Sequence, residues 1–381
     1  MKLALYTIFR CTNYGAVLQA YALARILRQI CGDDGVDVIN HRMDPRDNHL
    51  LGKITNPNTP WFQRWRNRHK FAVKYIRSDL FEMRRQKTIR LIDELIRPTE
   101  RLYRRPQELK ELPPYGTVVV GSDQVWNPGL NHDFGRNQYL ALDIPDAQDH
   151  VAYAASFGVS ELPDGCIGEY RAALSRFRKI TVREESGAEI CERLLNRRPE
   201  VVLDPSLLLT PEEWQSAIGG KQEFSGRIAA YWVRMVTQRD ADALAKIARM
   251  CGATVRLMSA GPIPRLKLPP EIELYVDADP FDFVRTIAGA TSVVTDSFHG
   301  LQFATLFRRP FVALGDISDS KANASRLVDF GARYGLSGGI HHVEDFRSGA
   351  PCPFESFASF NASALDADRD RSVKILEGLL P

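Results

Sequence analysis

The sequence lacks the long apolar runs and the cysteine patterns that would place it in several large protein classes. No apolar run reaches the roughly 18–20 residues that span a bilayer. No small-residue cleavage site follows the first apolar stretch, which we interpret as a buried strand and not a signal peptide. The six cysteines include no Cys-x-x-Cys pair and no Cys/His cluster, so we predict no metal site. Scattered single cysteines favour a cytoplasmic location.

Net charge is small, at +3, but the charges are unevenly distributed. Residues 61–110 carry fifteen Lys and Arg against six Asp and Glu. A basic block of this kind is typical of a solvated helix, an anionic membrane surface or nucleic acid. No nucleic-acid-binding motif accompanies the charge, so we predict no nucleic-acid partner. Aromatic residues alternate with the cations from Trp61 onwards, which leaves a solvated helix and a peripheral contact at the inner membrane face as alternatives.

The length of 381 residues and the hydrophobic fraction of 44% indicate a globular protein of two domains. Short apolar runs recur with helical patterns between them, and this alternation predicts parallel sheets covered on both faces. The predicted strands form two series: residues 3–8, 36–40, 117–120, 151–155, 180–183 and 201–203, followed by 228–233, 254–258, 273–276, 292–295 and 311–314.

Two such series predict two doubly wound, Rossmann-type α/β domains. We assign residues 1–210 to the first domain, which we expect to bind the acceptor and which carries a basic helical insertion at 61–110. The second domain is assigned to residues 211–345, and residues 346–381 to a tail with a helix. In open parallel sheets, ligands bind beyond the carboxyl ends of the strands. Polar residues directly after apolar runs are therefore the candidate site residues.

The segment TNYGAVLQ, residues 12–19, follows the first predicted strand. Asn13 can cap a helix, and Gly15 allows a ligand to approach the backbone. We take both as candidate acceptor contacts, together with Tyr14 and Gln19. The alternative is an ordinary turn between a strand and a helix.

The segment VGSDQVWNP, residues 120–128, follows the third strand. Asp123 and Gln124 could bind sugar hydroxyls, with Ser122 beside them, and Trp126 could stack on a sugar face. The alternative is that Ser122 and Asp123 cap a helix while Trp126 packs in the interior.

Three further segments carry candidates for holding an anionic donor or for catalysis. A strand end delivers Arg183, which can grip a carboxylate or phosphate, or form an Arg–Glu surface pair instead. The turn at residues 293–300 places His299 beside Asp296 at a helix start, where the histidine could act as acid or base. Lys321 and Arg326 follow the next strand and would face the same rim, or lie in a solvated loop.

Six elements, in this order, resemble the polysaccharide pyruvyl transferase family: residues 13–21, 121–126, 156–158, 182–186, 204–205 and 296–300. The resemblance implies a GT-B-like pair of Rossmann-type domains facing a cleft, with a C-terminal crossover helix. It also implies phosphoenolpyruvate as a donor substrate, with no cofactor, and a sugar of a surface glycan or its precursor as acceptor. That acceptor could be lipid-linked.

The resemblance associates Arg183, His299 and Lys321 with the donor. Ser297 stands where many members have an arginine, so Arg326 is a candidate for the missing cation. The implied donor site also includes Ser297 and Gly300. In the implied reaction, His299 is the acid or base, and Asp296 orients its imidazole or serves as the base.

Two other functions remain open from the sequence. A sugar-nucleotide-dependent glycosyltransferase could use the same fold and bind its diphosphate at a helix N-terminus of the second domain. A glycan-binding or assembly protein without catalysis is the other alternative.

Overall fold

The chain forms two parallel six-stranded sheets in a computed structural model that describes residues 2–41, 60–76, 78–129, 132–133, 136–145, 149–220, 226–316 and 325–381. The first sheet has the strand order β2-β1-β3-β6-β7-β8, and the second has the order β11-β10-β9-β12-β13-β14. Helices connect the strands. The predicted α/β architecture of two Rossmann-type domains is confirmed.

The strands of the first domain, including a short antiparallel pair, are β1 (Leu3–Tyr6), β2 (Val36–Val38), β3 (Thr117–Val120), β4 (His132–Asp133), β5 (Arg136–Asn137), β6 (Asp149–Ala155), β7 (Lys179–Val182) and β8 (Glu200–Val201). Its α-helices are α1 (Tyr14–Cys31), α2 (Trp61–Lys74), α3 (Ser78–Leu91), α4 (Ile167–Leu174) and α5 (Glu185–Leu195). A π-helical turn, Ile92–Ile96, and short 3₁₀ turns complete it.

The strands of the second domain are β9 (Arg227–Trp232), β10 (Thr254–Ser259), β11 (Ile272–Leu274), β12 (Ser292–Thr295), β13 (Phe311–Gly315) and β14 (Ile340–His342). The remaining α-helices are α6 (Pro211–Ala217), α7 (Gln238–Cys251), α8 (Pro280–Gly289), α9 (Phe298–Leu306), α10 (Ser325–Tyr334), α11 (Val343–Ser348) and α12 (Ala362–Glu377).

Local sequence explains where these elements form. The central strands β1 and β3 read LALY and TVVV, and every residue in both is buried, as expected for strands covered on two faces. Helix α1 begins where the Asn13 side chain accepts a hydrogen bond from the Gly15 N–H, and it ends at Gly32, whose φ is +83°. Helices α6, α7 and α8 each begin with a capping box.

Each sheet has a topological switch point, where successive connections leave in opposite directions. It lies between β1 and β3 in the first sheet and between β9 and β12 in the second. In open α/β sheets these points form the crevices in which ligands bind. The connections that leave these four strands therefore hold the best-placed residues for a site.

The two domains share one apolar core cluster, which runs from α1 into α8 and α9. In it, the rings of Tyr14 and Tyr231 stack with centroids 5.3 Å apart. The insertion between β2 and β3 is helical, as predicted, and it reaches the second domain. Arg84 of α3 donates to the carbonyl of Ala260 at 2.6 Å and to the Tyr14 hydroxyl at 3.2 Å. This buried arginine links the insertion, α1 and the end of β10.

Helix α12 returns to the first domain after the second sheet is complete, which confirms the predicted crossover helix. Arg369 donates to the carbonyl of Leu207 at 2.7 Å, and the Ser372 hydroxyl accepts from the N–H of Leu203 at 3.0 Å. No helix in the described part of the chain has the length and apolar character needed to cross a membrane.

Candidate active site

A cavity of about 510 Å³ lies between the two switch points. We call it the switch-point cavity. Its walls come from the connections after β1, β3, β9 and β12, together with β13 and α10. The sequence-predicted residues that line it are Asn13, Asp123, Gln124, Asp296, Ser297, His299 and Arg326.

Two helices from opposite domains begin at this cavity. Asn13 caps α1, and Ser297 caps α9 by accepting a hydrogen bond from the Gly300 N–H at 3.3 Å. The N-terminus of a helix presents unpaired N–H groups and a positive partial charge. Because both helices contribute, an anion in the cavity would be stabilised from two sides.

The imidazole of His299 is buried against the start of α1. A Cβ atom at Gly15 would overlap the Nδ1 and Cγ atoms of this ring. Gly15 therefore acts by lacking a side chain, which lets the histidine of one domain pack on the helix of the other. At Gly300, a Cβ would overlap Thr295, so this glycine lets α9 lie close to β12.

The carboxylate nearest to His299 belongs to Asp204, which lies 3.6 Å from its Nε2 atom. Asp204 also accepts a hydrogen bond from Arg183 at 2.6 Å. Burial alone would raise the pKa of Asp204, but the charges of His299 and Arg183 hold that pKa well below its usual range. Asp204 is therefore an anion that joins the arginine and the histidine.

Arg183 is buried among three carboxylates. Its Nη1 donates to Asp204, its Nη2 donates to Asp123 at 3.2 Å, and its Nε lies 3.6 Å from Glu184. Burial alone would lower the pKa of Arg183, but these charges raise it above its ordinary value. The guanidinium packs over the ring of Phe298, 5.2 Å from its centroid. Arg183 thus forms part of a buried ionic cluster, and it does not line the switch-point cavity.

Arg326 lies in the first turn of α10 and lines the switch-point cavity. Its guanidinium is 5.6 Å from the centroid of Phe298. The Gln124 amide lies 3.0–3.1 Å from its two Nη atoms, and the amide oxygen accepts both hydrogen bonds when turned towards them. Burial, and then the nearby charge of Arg183, lower the pKa of Arg326. An anionic ligand beside it would favour the charged guanidinium.

Asp296 lines the cavity, but its carboxylate is held by other partners. It accepts hydrogen bonds from the Val233 N–H at 2.6 Å, the Arg234 N–H at 3.1 Å and the Arg234 Nε at 2.9 Å. Burial raises its pKa, and Arg234 opposes that effect. The predicted orientation of the imidazole by Asp296 needs correction, because Asp204 is the carboxylate placed beside His299.

Four predicted acceptor residues lie in the interior and do not line the cavity. The Trp126 indole is fully buried and donates to the Tyr139 carbonyl at 3.2 Å. Ser122 donates to Gln19 at 2.7 Å, and both side chains are buried. Tyr14 donates to the Ala278 carbonyl at 2.8 Å. Their predicted contact with a sugar is therefore corrected to a structural role, because packing and internal hydrogen bonds already use these groups.

Lys321 lies outside the described residues. Asp204 and Phe298 are two residues of the site for which the sequence predicted no role. The signal for Asp204 was present, since Asp204-Pro205 follows β8 and is one of the elements that resemble the family. Nothing in the sequence indicated that two arginines would lie 5.2 Å and 5.6 Å from the centre of the Phe298 ring. Within the parts of the chain that the structure describes, no three His, Cys, Asp or Glu side chains are grouped to hold a metal ion.

The family model of the polysaccharide pyruvyl transferases matches residues 13–317 of this chain. A search of curated proteins finds no match. Similar solved structures include UDP-GlcNAc 2-epimerase from Methanocaldococcus jannaschii, with 12% identity, 99% of each chain covered and a TM-score of 0.45. UDP-N-acetylglucosamine 2-epimerase from Rickettsia bellii has 8% identity, 100% of this chain and 95% of that chain covered, and a TM-score of 0.46.

The E. coli heptosyltransferase WaaC with ADP has 13% identity, 98% of this chain and 100% of that chain covered, and a TM-score of 0.37. The family match, in contrast, is a match of sequence and extends from the start of α1 to just beyond β13. Because it covers most of the chain, this protein belongs to the polysaccharide pyruvyl transferase family.

Proposed function

We propose that this protein transfers pyruvate from phosphoenolpyruvate to two hydroxyls of a sugar, as a ketal, in a surface glycan or its precursor. The observation that carries the proposal is the meeting of α1 and α9 at one cavity that also holds His299 and Arg326. Phosphoenolpyruvate bears a carboxylate and a phosphate. Its site therefore needs positive potential from several directions.

The switch-point cavity meets this need with groups of different kinds. Arg326 supplies a full charge, and the two helix N-termini supply partial charges. Ser297 and Gly300 contribute through the backbone, because they set the start of α9 and its distance from β12. Lys321 is a further cation that we expect at this site. In this proposal, Arg326 takes the place of the arginine that many family members have at the position of Ser297.

The reaction balances without a cofactor. One sugar hydroxyl adds to C2 of phosphoenolpyruvate while C3 takes up a proton, which forms the methyl group. A second hydroxyl then forms the other C2–O bond, and the bond from C2 to the phosphate oxygen breaks. The two hydroxyl protons are released overall, one replacing the proton given to C3 and the other leaving with inorganic phosphate.

We assign the proton transfers to His299, which is buried at the start of α9 and lines the cavity. A positioned acid or base of this kind contributes about 10²–10⁴-fold to rate. Asp204 would stabilise the imidazolium that forms when His299 takes a proton. Arg183 donates to Asp204 and Asp123, so we assign it a positioning role at the donor site. Asp296 would fix the turn before α9.

The decisive experiment compares the glycan of cells that lack this protein with that of complemented cells by mass spectrometry. We expect a pyruvate ketal only in the complemented cells. In vitro, the purified protein should release inorganic phosphate from phosphoenolpyruvate only when the acceptor is added. Release of nucleotide from sugar nucleotides, without phosphate release from phosphoenolpyruvate, would instead support a glycosyltransferase.

We further propose that the acceptor is lipid-linked and that α2 contacts the inner membrane face. Helix α2 has five Lys and Arg and no Asp or Glu. Trp61 and Trp65, one helical turn apart, are 75% and 68% exposed. Its other end is held on the second domain, where Arg265 donates to the Ala72 carbonyl at 2.9 Å. Exposed tryptophans among cations are typical of helices that lie at a membrane surface.

A further inference from the structure

A second cavity, of about 290 Å³, shares Phe298 and Arg326 with the switch-point cavity. These two side chains therefore form the wall between the cavities. We call the second one the lateral cavity. It opens beside the ends of β7 and β8, and α10 and α12 cover its other sides.

The buried carboxylate of Glu184 lines the lateral cavity without a hydrogen bond. Its side chain is 3% exposed, and neither of its oxygens accepts a hydrogen bond from any described residue. Arg183 Nε lies 3.6 Å from Oε2 and also donates to no described residue. Buried polar groups in native proteins nearly always have partners. The two oxygens of Glu184 thus indicate a ligand that donates hydrogen bonds.

The other residues that line the lateral cavity restrict the charge that this ligand can carry. Asp329 lines the same cavity from the surface, and partial desolvation there, followed by the charges of Glu184, Glu185 and Glu189, raises its pKa. An anion such as phosphoenolpyruvate would be repelled by these carboxylates. A cation would be repelled by Arg183 and by the other arginines that line the cavity, Arg326, Arg333 and Arg371. The surroundings therefore favour an uncharged ligand.

Two aromatic rings complete the lining. Phe298 and Phe330 meet edge to face, with ring centroids 5.8 Å apart. An apolar wall opposite hydrogen-bond acceptors suits a pyranose ring, which has C–H groups on its faces and hydroxyls around its edge. The cavity volume is at the lower end of the range for small-molecule sites, as a single sugar ring requires.

We propose that the lateral cavity binds an uncharged pyranose of the acceptor, with Glu184 and Asp329 accepting hydrogen bonds from its hydroxyls. This inference rests on the proposed function. It assigns an acceptor sugar to the lateral cavity and not to the interior residues that the sequence suggested. That pyranose would be a neighbour of the sugar that receives pyruvate, because Phe298 and Arg326 separate the lateral cavity from the donor, whereas the attacking hydroxyls must reach C2 directly. Sugar and phosphoenolpyruvate would bind without competing.

Saturation-transfer NMR with methyl glycosides of glucose, galactose, mannose and N-acetylglucosamine tests this proposal on the full-length protein. We expect at least one glycoside to bind the wild type, and Glu184→Gln to weaken it roughly tenfold or more, as for a lost hydrogen bond to a charged group. Asp329→Asn changes an exposed position and should weaken the same glycoside. Glu189→Gln is the matched control, because Glu189 lies on α5 but does not line the cavity.

Calorimetry with phosphoenolpyruvate, on the same variants, separates this proposal from the proposed function. We expect the affinity of Glu184→Gln for phosphoenolpyruvate to stay within about twofold of wild type, while its glycoside affinity falls. Absence of binding by every glycoside overturns the lateral site, as does equal binding by Glu184→Gln, Asp329→Asn and Glu189→Gln. Glycoside binding that depends on Glu184, without any binding of phosphoenolpyruvate, would keep the sugar site and overturn the donor.

Discussion

The side chains of Asp204 and His299 meet between the two domains, with 3.6 Å separating Asp204 Oδ2 from His299 Nε2. Asp204 follows the last strand of the first sheet, whereas His299 lies in the first turn of α9 in the second domain. A rotation of one domain against the other would separate the pair. The carboxylate and the imidazole can therefore act together only when the domains are placed as they are here.

Replacing His299 by Ala should remove most of the turnover while some phosphoenolpyruvate binding remains. Arg326 and the helix N-termini would still hold the donor, but the group assigned to proton transfer would be gone. We expect a loss of about 10²–10⁴-fold in kcat. Phosphate release and calorimetry measure the two effects. A folded variant with a rate near wild type would show that His299 has only a structural role.

Asp204→Asn should change the way in which stability depends on pH. The pKa of Asp204 lies below its ordinary value of 3.8, although burial opposes this shift. Such a carboxylate stabilises the fold above the unfolded-state pKa, and that contribution is lost as pH falls through the folded-state pKa. The difference in unfolding free energy between wild type and variant should thus be largest above about pH 5 and shrink under more acid conditions. Urea unfolding across a pH series measures it.

Asp296→Asn is the matched contrast, because burial raises the pKa of Asp296. A carboxyl group with a raised pKa takes up its proton in the folded state first, so folding becomes more favourable as pH falls towards 3.8. As the pH falls towards 3.8, the wild type should therefore gain stability relative to Asp296→Asn. If the stability of both variants relative to wild type depended on pH in the same way, the opposite pKa shifts of Asp204 and Asp296 would be contradicted.

Gly15→Ala should lower turnover by displacing the imidazole, since a Cβ atom at this position would overlap the ring of His299. We expect kcat to fall by at least about tenfold, because small misplacements of a catalytic group have large effects on rate. Gly168→Ala is the control. Gly168 also lies in a helix, and a Cβ there would meet nothing within 4 Å. Equal kcat values for the two variants would show that the close approach of position 15 to the His299 ring does not affect catalysis.

The sequence predicted most of the fold, because buried parallel strands are read directly from short apolar runs. All six strands of the first sheet and five of the second correspond to predicted runs. The missed edge strand, Ile340–His342, has two histidines and no fully buried residue, so no apolar run marks it. The hairpin of His132–Asp133 with Arg136–Asn137 is too short to show alternation.

The candidate site was only partly predictable, because burial cannot be read from a motif. Asn13, Asp123 and Gln124 line the cavity, whereas Trp126 occupies the core, although all four stand in similar loops after strands. The pairing of His299 with Asp204 joins positions 95 residues apart on different domains. A single sequence gives no measure of that proximity.

Arg183→Ala should destabilise the protein strongly, which differs from the sequence-based expectation of a simple donor contact. Removing the guanidinium leaves Asp123, Glu184 and Asp204 buried together without their cation. Breaking a buried ion pair by removing one partner costs about 3–5 kcal/mol. Arg183→Lys should recover part of that loss. Urea unfolding of both variants measures it, and an Ala variant as stable as wild type would show that the cluster is not held by Arg183.

Binding of α2 to membranes should require anionic lipid and should weaken as salt rises, because surface attraction is screened within a Debye length. We expect co-sedimentation with vesicles of phosphatidylglycerol and phosphatidylcholine at low salt, and much less with phosphatidylcholine alone. Reversing Arg64, Arg66 and Arg68 to Glu should release the protein, and Trp65→Ala should reduce the part of the binding that resists salt.

Two control variants for membrane binding lie elsewhere on the surface: Lys374→Glu on α12, and Met250→Ala on α7, where the methionine is 76% exposed. If the wild type stays in the supernatant with anionic vesicles, α2 is a solvated helix. If the triple charge reversal still binds, the membrane contact lies on another surface.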